Sequence, residues 1–164
     1  MTIDASSFKR ALGQFATGIG VVTSRDAEGR PVGLTVNAFS SVSLDPPLVL
    51  VCIDLRSGAN HGIRDSGRFA VSILSEQQEE WSRRFARPGP EKFEGVSFAL
   101  STHGLLLVPG ALVHMECAVR AAHLAGDHTV YVGEILELQV TPGPPLVYHA
   151  GHYRRLDEGN PASS

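Results

Sequence analysis

Small polar residues fill a segment of this sequence that lies between two apolar runs. Residues 35–47 read TVNAFSSVSLDPP, whereas the flanking runs have the Val, Ile and Leu content of buried strands. A buried strand would ordinarily carry larger aliphatic or aromatic side chains here. Small residues leave the main chain accessible, so backbone groups, hydroxyls and amides can face a flat polar ligand. We predict that this segment lines a binding site.

A candidate anion site follows the apolar run at 48–53. Residues 57–60 (SGAN) are expected to open a helix, whose free N–H groups can bind a phosphate. Serine is also a common helix cap, so an ordinary N-cap formed by Ser57 is the competing interpretation.

One histidine stands at a position suited to ligand chemistry. Gly126-Asp127 is expected to form a tight turn between two long strands, and His128 begins the second of them. An imidazole at a strand start beside small residues could orient or protonate a ligand. A surface histidine in a turn is the competing interpretation.

Other kinds of chemistry are disfavoured by the spacing of the residues that they need. The Gly-x-Ser-x-Gly pattern of a nucleophile elbow is absent. His114 and Glu116 would share a strand face while Cys117 points the other way, and no pair has the compact spacing of a zinc site. The glycines at 18 and 20 precede a strand, which is the reverse of a dinucleotide fingerprint. We therefore expect no metal and no covalent catalysis.

Hydrophobic periodicity predicts the elements that must position these residues. A first helix is expected from Ser6 or Ser7 to Gly18 or Gly20, with an apolar face that includes Phe8, Leu12 and Phe15. Further helices are expected at 57–65 and 75–85, the latter capped by Ser75. Strands are expected at 20–24, 32–36, 40–44, 48–54, 68–74, 105–108, 112–123, 129–140 and 146–153.

The order of these elements favours a mainly β fold. Strands outnumber helices, and the regular strand–helix alternation of a doubly wound parallel sheet is absent. An antiparallel barrel with peripheral helices fits best. The length of 164 residues suits one domain, which we place at 1–156 with a flexible tail at 157–164.

Composition narrows the partners and the compartment. The net charge is −3, which disfavours nucleic acid and anionic membrane surfaces, and we interpret Arg83, Arg84 and Arg87 as a solvated helix face. The N-terminus lacks the pattern of a signal peptide, and the longest apolar run is far shorter than the about 20 residues of a membrane span. Cys52 and Cys117 lie in apolar runs, as expected of reduced thiols in a cytoplasmic protein.

Taken in order, the motifs resemble those of the short-chain flavin reductase family, the reductase partners of two-component flavin-dependent monooxygenases. The resemblance spans Phe8 to Leu156, almost the whole chain, and no single motif decides it. The ordered set is 35–43 (TVNAFSSVS), 45–49 (DPPLV), 57–60 (SGAN), 67–74 (GRFAVSIL), Lys92-Phe93, 126–128 (GDH), 132–134 (VGE), and 145–148 (PLVY) with Tyr153.

The resemblance implies a fold and an activity. It implies an FMN-binding split β-barrel, antiparallel and of Greek-key type, which forms a homodimer. It implies NAD(P)H:flavin oxidoreductase activity, in which FMN or FAD is reduced by NADH or NADPH and passed to a separate monooxygenase. A non-catalytic flavin- or haem-binding split barrel, acting as a carrier or sensor, is the alternative.

The resemblance also implies roles for individual residues. Those expected to line the isoalloxazine and ribityl chain are Thr35, Asn37, Ala38, Phe39, Ser41 and Val42. The strand end that meets the ring's polar edge is Cys52, Ile53 and Asp54, and the phosphate-side turn is Ser57, Ala59 and Asn60. Phe85 and Lys92 match the loop near the phosphate or adenosine end. His128 and Tyr153 match positions where nicotinamide approaches, and His128 is the catalytic candidate. Ser72 departs from the asparagine that the family commonly has there.

Overall fold

Three antiparallel sheets of seven, three and two strands and three short helices make up the part of the chain that the computed structural model describes, residues 2–157. The helices are α1 (Ala5–Leu12), α2 (Gly58–Ser66) and α3 (Glu79–Phe85), and a 3₁₀ turn spans Pro90–Phe93. The strands are β1 (Thr17–Gly18), β2 (Gly20–Arg25), β3 (Pro31–Val36), β4 (Phe39–Ser43), β5 (Leu48–Asp54), β6 (Arg68–Ile73), β7 (Ala99–Leu100), β8 (Leu106–Leu107), β9 (Val113–Ala125), β10 (His128–Val140), β11 (Val147–His149) and β12 (His152–Arg154).

Seven strands form the main sheet in the order β3-β2-β6-β9-β10-β5-β4, and every pairing in it is antiparallel. β3 runs directly into β4 although the two strands lie at opposite edges of the sheet, so the sheet must curl to bring its edges together. At that point the Cys52 N–H donates to the Ala38 carbonyl at 3.0 Å. We call the connection Asn37-Ala38 and its bond to Cys52 the seam. The mainly β, antiparallel fold is confirmed.

Alternation along the strands separates two apolar cores. In β2, Val22 points into the barrel and Val21 points to its outside, and both are fully buried. The barrel core also includes Phe69 and Tyr131, and α2 closes it with Ala59 and Ile63. The outer core lies between the sheet and α3 and includes Val21, Leu74, Phe85, Val108 and Leu146.

A close approach in the barrel core requires glycine at one position of β10. A Cβ at Gly133 would lie 2.5 Å from Phe69 Cζ and 2.9 Å from Cys117 Cβ. The Phe69 ring therefore packs directly on the backbone of β10.

The first helix differs from the prediction. α1 ends at Leu12, is capped by Asp4 rather than by Ser6 or Ser7, and buries none of its residues. The Asp4 carboxylate accepts from the Ser7 N–H at 2.9 Å, an N-cap with the stronger acceptor of the two residue types. The apolar face with Phe8 and Leu12 exists, but no other part of residues 2–157 covers it.

Two later elements also differ. α3 begins at Glu79, because the Gln78 side chain accepts from the Ser75 N–H at 3.0 Å and Ser75 bridges Pro145 instead of capping a helix. The strand expected at 146–153 is a hairpin of β11 and β12, turned by Ala150 and Gly151, both with positive φ. Of the predicted tail, only Asp157 lies within the described residues.

Candidate functional site

The segment 35–43 forms one open wall, which we call the small-residue wall. Thr35 is the penultimate residue of β3, Asn37 and Ala38 form the seam, and Ser41 and Val42 lie on β4. Asn37, Ala38, Ser41 and Val42 are exposed, while Thr35 and Phe39 are half-buried. The main chain at Asn37 and Ala38 is therefore accessible to a ligand, as the sequence predicts.

The hydroxyl of Thr35 points away from this open surface. Thr35 Oγ1 donates to the main-chain carbonyl of Ser82 in α3 at 2.6 Å. Thr35 thus ties the wall to α3, and its side chain has less freedom to meet a ligand than the sequence suggests.

A small apolar cavity of about 90 Å³ adjoins the wall between β1, β2, β3 and β6. Asn37 and Phe39 belong to its lining, as do Thr17 and Ile73. The hydroxyl of Thr17 is buried and has no hydrogen-bond partner among the described residues. The cavity offers one polar contact within an otherwise apolar recess beside the wall.

Four charged or titratable residues meet where β5 ends and β10 begins, and we call them the strand-end cluster. Asp54 lies directly opposite His128 in the antiparallel register. His128 Nδ1 lies 2.7 Å from Asp127 Oδ1, and Arg56 binds Asp54 through Nη2 at 2.8 Å. The Arg56 side chain holds the pKa of Asp54 well below its usual range, and the His128 contact lowers the pKa of Asp127. Since Nδ1 of His128 is engaged by Asp127, Nε2 is the ring nitrogen left for a ligand.

The start of α2 is an ordinary N-cap in its side-chain bonds. Ser57 Oγ accepts from the Ala59 N–H at 3.2 Å, the bond expected if Ser57 is an ordinary helix cap and not part of a phosphate site. Asn60 is buried, and its Oδ1 accepts from the Tyr131 hydroxyl at 2.7 Å. The Asn60 side chain is thus committed to the barrel core, and Ser57, which is half-buried, is the residue of this turn whose side chain a ligand could reach.

Cys52 and Ile53 offer main chain rather than reactive side chains. Ile53 is fully buried, and burial raises the pKa of the half-buried Cys52 thiol. Burial also raises the pKa of Cys117 to about 12, so neither cysteine is an activated nucleophile.

A groove of about 750 Å³ runs between α3 and the loop that follows it. Its lining is Glu80, Trp81, Arg83, Arg84, Arg87, Pro88, Glu91, Lys92 and Val96, which contains four cations and two carboxylates. Positive charges therefore outnumber negative charges along the groove, which favours an anionic ligand.

Lys92 is the cation that joins this groove to the small-residue wall. Its Nζ donates to the Gly33 carbonyl of β3 at 3.1 Å, and Arg84 Nε holds the loop by donating to the Lys92 carbonyl at 2.7 Å. Burial lowers the pKa of Lys92, and no carboxylate of residues 2–157 forms an ion pair with it. A half-buried ammonium without an ion-pair partner is compatible with the position near the phosphate or adenosine end that the resemblance implies.

Phe85 corrects one expectation. It is fully buried in the outer core, where its ring packs against Trp81, Phe93 and Phe98 at centroid distances of 6.2, 5.2 and 6.2 Å. No part of the Phe85 side chain is exposed, so it cannot contact a ligand as expected. It instead packs against Trp81, which lines the groove. The buried Ala59 likewise has no side-chain surface to offer.

Tyr153 is held from three sides. Its hydroxyl lies 2.8 Å from Ser82 Oγ, the Tyr148 ring packs edge-on at 5.4 Å, and the Arg83 guanidinium lies 4.8 Å above the ring centroid. Arg83 also pairs with Glu79. A half-buried aromatic ring fixed in this way is suited to be one side of a binding surface.

The structure thus arranges the predicted residues in two groups. The seam and the strand-end cluster lie along β5, which contacts Ala38 through Cys52 and His128 through Asp54. Thr35, Lys92 and Tyr153 converge instead on α3 and its following loop.

Sequence reasoning missed Ser82 and the lining role of Trp81 and Arg84. Arg84 is not part of a fully solvated face, because its guanidinium binds the carbonyls of Lys92 and Glu94. The cluster of arginines beside a tryptophan, Trp81 to Arg84, was the signal in the sequence. Ser82 left no such signal, since a single serine in a helix is unremarkable.

Comparison with known proteins gives one family. A family model described as "Flavin reductase like domain" matches residues 12–157. An FMN reductase (NADH) of Agrobacterium fabrum is 42% identical over 153 residues, which cover 93% of this chain and 87% of the relative. An NADH-dependent flavin reductase of a Rhodococcus species is 44% identical over 151 residues, with 91% and 85% covered.

Solved structures agree with these relatives. Nitrilotriacetate monooxygenase component B of Mycobacterium thermoresistibile has a TM-score of 0.88 at 38% identity, with 97% of this chain and 91% of the other covered. The NADH:FAD oxidoreductase of Streptomyces globisporus has a TM-score of 0.88 at 34% identity, with 95% and 97% covered. Within residues 2–157, no helix combines the length and apolar character needed to cross a membrane.

Proposed function

The chain belongs to the flavin reductase family, and on that premise we propose which of its residues serve the NAD(P)H-dependent reduction of FMN or FAD. The relatives are named as FMN, FAD or flavin reductases that use NADH. The carrier or sensor alternative has no comparable support, because these relatives carry out turnover.

The observation that carries the assignment is the accessible main chain at the seam beside the strand-end cluster. A flavin held here would supply the hydride acceptor for a dihydronicotinamide, and the protein would contribute position and electrostatics. This reaction requires no nucleophile from the protein, in keeping with the raised pKa values of the Cys52 and Cys117 thiols. The carbonyls of Asn37 and Ala38 already accept from the Phe39 and Cys52 N–H groups, so their own N–H groups are the donors proposed for the polar edge of the ring, where negative charge grows on reduction.

His128 is proposed to orient the nicotinamide or the flavin through Nε2. Asp127 fixes the imidazole through Nδ1 at 2.7 Å, so the ring presents one nitrogen in a defined direction. Hydride transfer requires the two rings to stack about 3–3.5 Å apart, so a group that fixes one of them contributes to the rate without taking a proton.

Lys92 is proposed to bind the phosphate of FMN or FAD. Its position between the groove and Gly33 places positive charge at the β3 side of the small-residue wall. The excess of cations in the groove favours phosphorylated flavins over riboflavin.

The reduced flavin leaves for a monooxygenase partner. Relatives include the reductase subunit of a flavin-dependent monooxygenase of Rhodococcus jostii, at 36% identity over 94% of this chain. A site open along the wall and the groove suits a flavin that is handed to a second protein.

A homodimer is proposed because several large apolar side chains are exposed. Phe8 and Leu12 are each 56% exposed and Phe15 is 75% exposed, all at or just after α1. We commit to a second copy of this chain as the partner that covers them.

The cytoplasm is proposed as the location, in keeping with the free thiols of Cys52 and Cys117.

One assay tests the proposed activity. The purified protein is mixed with NADH or NADPH and with FMN, FAD or riboflavin, and nicotinamide oxidation is followed by absorbance. Flavin-dependent oxidation above the blank without protein is expected. No oxidation with any of these pairs would contradict the assignment.

A further inference from the structure

Ser82 joins two residues of the group that converges on α3, Thr35 and Tyr153. It is 1% exposed, in the middle of α3, and both of its polar oxygen atoms are used. Its carbonyl accepts from Thr35 Oγ1 at 2.6 Å, and its hydroxyl lies 2.8 Å from the Tyr153 hydroxyl.

These bonds connect the end of β3 with β12, which are distant in sequence. β12 is only three residues long and pairs with β11, so its position on the outer core is set largely by side chains. Of the contacts to the Tyr153 side chain, the bond to Ser82 is the only hydrogen bond among residues 2–157. Tyr148 and Arg83 pack on the Tyr153 ring, and neither of them bonds its hydroxyl.

We propose that Ser82 is a positioning residue that sets the spacing between the flavin wall and the nicotinamide side of the site. It holds Thr35 of the small-residue wall through its carbonyl and Tyr153 through its hydroxyl. This inference rests on the proposed function and on the expectation, implied by the family resemblance, that nicotinamide approaches Tyr153.

The physical reason is the narrow tolerance of hydride transfer. A displacement of about 1 Å in the relative position of reacting groups can lower the rate by about a hundredfold. A single residue that contacts both surfaces keeps their separation constant when either surface moves. Two independent anchors on different elements would allow the separation to vary.

Ser82→Ala removes the bond to Tyr153 and leaves the carbonyl bond to Thr35 intact. We expect KM for NADH to rise about 3- to 10-fold, as the loss of one net hydrogen bond predicts, with a lower kcat. KM for flavin is expected to change less than about twofold, because Thr35 stays in place. Steady-state kinetics with each substrate varied in turn give both values.

Ser24→Ala is the matched control. Ser24 is also 1% exposed, and its hydroxyl binds the Arg68 carbonyl at 2.8 Å in a part of β2 away from the site. A purely structural cost of removing a buried hydroxyl would appear equally in both variants. The proposal is overturned if the KM for NADH of Ser82→Ala matches that of Ser24→Ala, or if KM for flavin rises as much as KM for NADH.

Tyr153→Phe removes the same hydrogen bond from its other end, so it provides the same test if Ser82→Ala folds poorly. We expect the same rise in KM for NADH, and the double variant should be no worse than either single variant. Additive losses would overturn the proposal. An inactive wild type would instead refute the proposed function, whereas an active wild type with unaffected variants refutes only the role of Ser82.

Discussion

The contact between Asp127 and His128 fixes which ring nitrogen of the imidazole a ligand can reach. The contact at 2.7 Å engages Nδ1, and the tight turn at Gly126 with φ of 62° places both residues at the start of β10. The turn and the strand start could be read from the sequence, because glycine followed by aspartate marks a turn. The opposition of Asp54 could not, since register between β5 and β10 depends on the whole sheet.

The first residue-scale prediction concerns that imidazole. His128→Ala should lower kcat/KM for NADH about tenfold, because about 1.4 kcal/mol of hydrogen bonding to the ligand is lost. Flavin affinity, measured by fluorescence titration, should change much less. His123→Ala, an exposed histidine on the neighbouring strand β9 opposite Val130, serves as control for the loss of any imidazole at this end of the sheet. A collapse of flavin affinity with normal turnover of the bound fraction would show that the assigned role is wrong.

The second residue-scale prediction uses riboflavin to isolate the phosphate. Lys92→Met keeps the aliphatic stem and removes the ammonium, so KM for FMN should rise tenfold or more, in line with about 1.5–3 kcal/mol for a charge-assisted bond. KM for riboflavin should stay the same, because riboflavin has no phosphate. Lys9→Met, at an exposed position of α1, should change neither value. Equal losses with both flavins would mean that Lys92 acts only by holding Gly33.

At the scale of elements, strands were predicted better than helices. β2, β5 and β6 follow the expected ranges within a residue, because alternation and buried valines define a strand locally. The start of α3 was missed because the Gln78 side chain satisfies the Ser75 N–H, a bond that no local pattern of serine indicates. The split of 146–153 into two strands depends on positive φ at Ala150, which alanine adopts only when tertiary contacts require it.

The site was predictable to the same extent as its elements. The small-residue wall could be found because its composition contrasts with the neighbouring strands. The burial of Asn60 and Phe85 could not, since it depends on Tyr131 and on three aromatic rings from α3 and the loop beyond it. Local sequence indicates residue type and element, whereas side-chain direction is decided by packing.

The element-scale prediction concerns β10 and its contact with β6. Gly133→Ala should lower the free energy of unfolding by about 1–3 kcal/mol, because the new methyl group overlaps the Phe69 ring and cannot be accommodated without movement. Chemical denaturation gives the value. Gly18→Ala is the control, since a Cβ there meets nothing within 4 Å. Equal stability of the two variants would mean that the Phe69 ring moves aside at little cost.

At the scale of the whole molecule, the apolar cores are covered, whereas one apolar surface has no cover within residues 2–157. The barrel core and the outer core contain most of the buried aliphatic residues, and Ala70, Leu105 and Leu107 form a third, smaller cluster. The face of α1 lies outside both, although its amphipathic pattern is clear in the sequence. The sequence therefore predicted the Phe8 and Leu12 part of the face, although α1 ends before Phe15, and a single sequence does not indicate what covers that face.

The whole-molecule prediction tests that partner. Phe15→Glu should shift the mass measured by light scattering from a dimer towards a monomer, because a charge would be buried in the interface. Gln14→Glu places the same charge on the neighbouring exposed residue and should leave the mass unchanged. A wild-type protein that is monomeric at every concentration measured would contradict the homodimer.

The seam has a consequence for how tightly a flavin can be held. Ala38 accepts from Cys52 at the point where the barrel closes, so the same few residues complete the fold and face the ligand. A flavin that binds only the closed seam would stabilise the seam against local opening. Amide exchange at Cys52 would then slow in proportion to flavin occupancy. Flavin occupancy and the local stability of the barrel at the seam would therefore rise together.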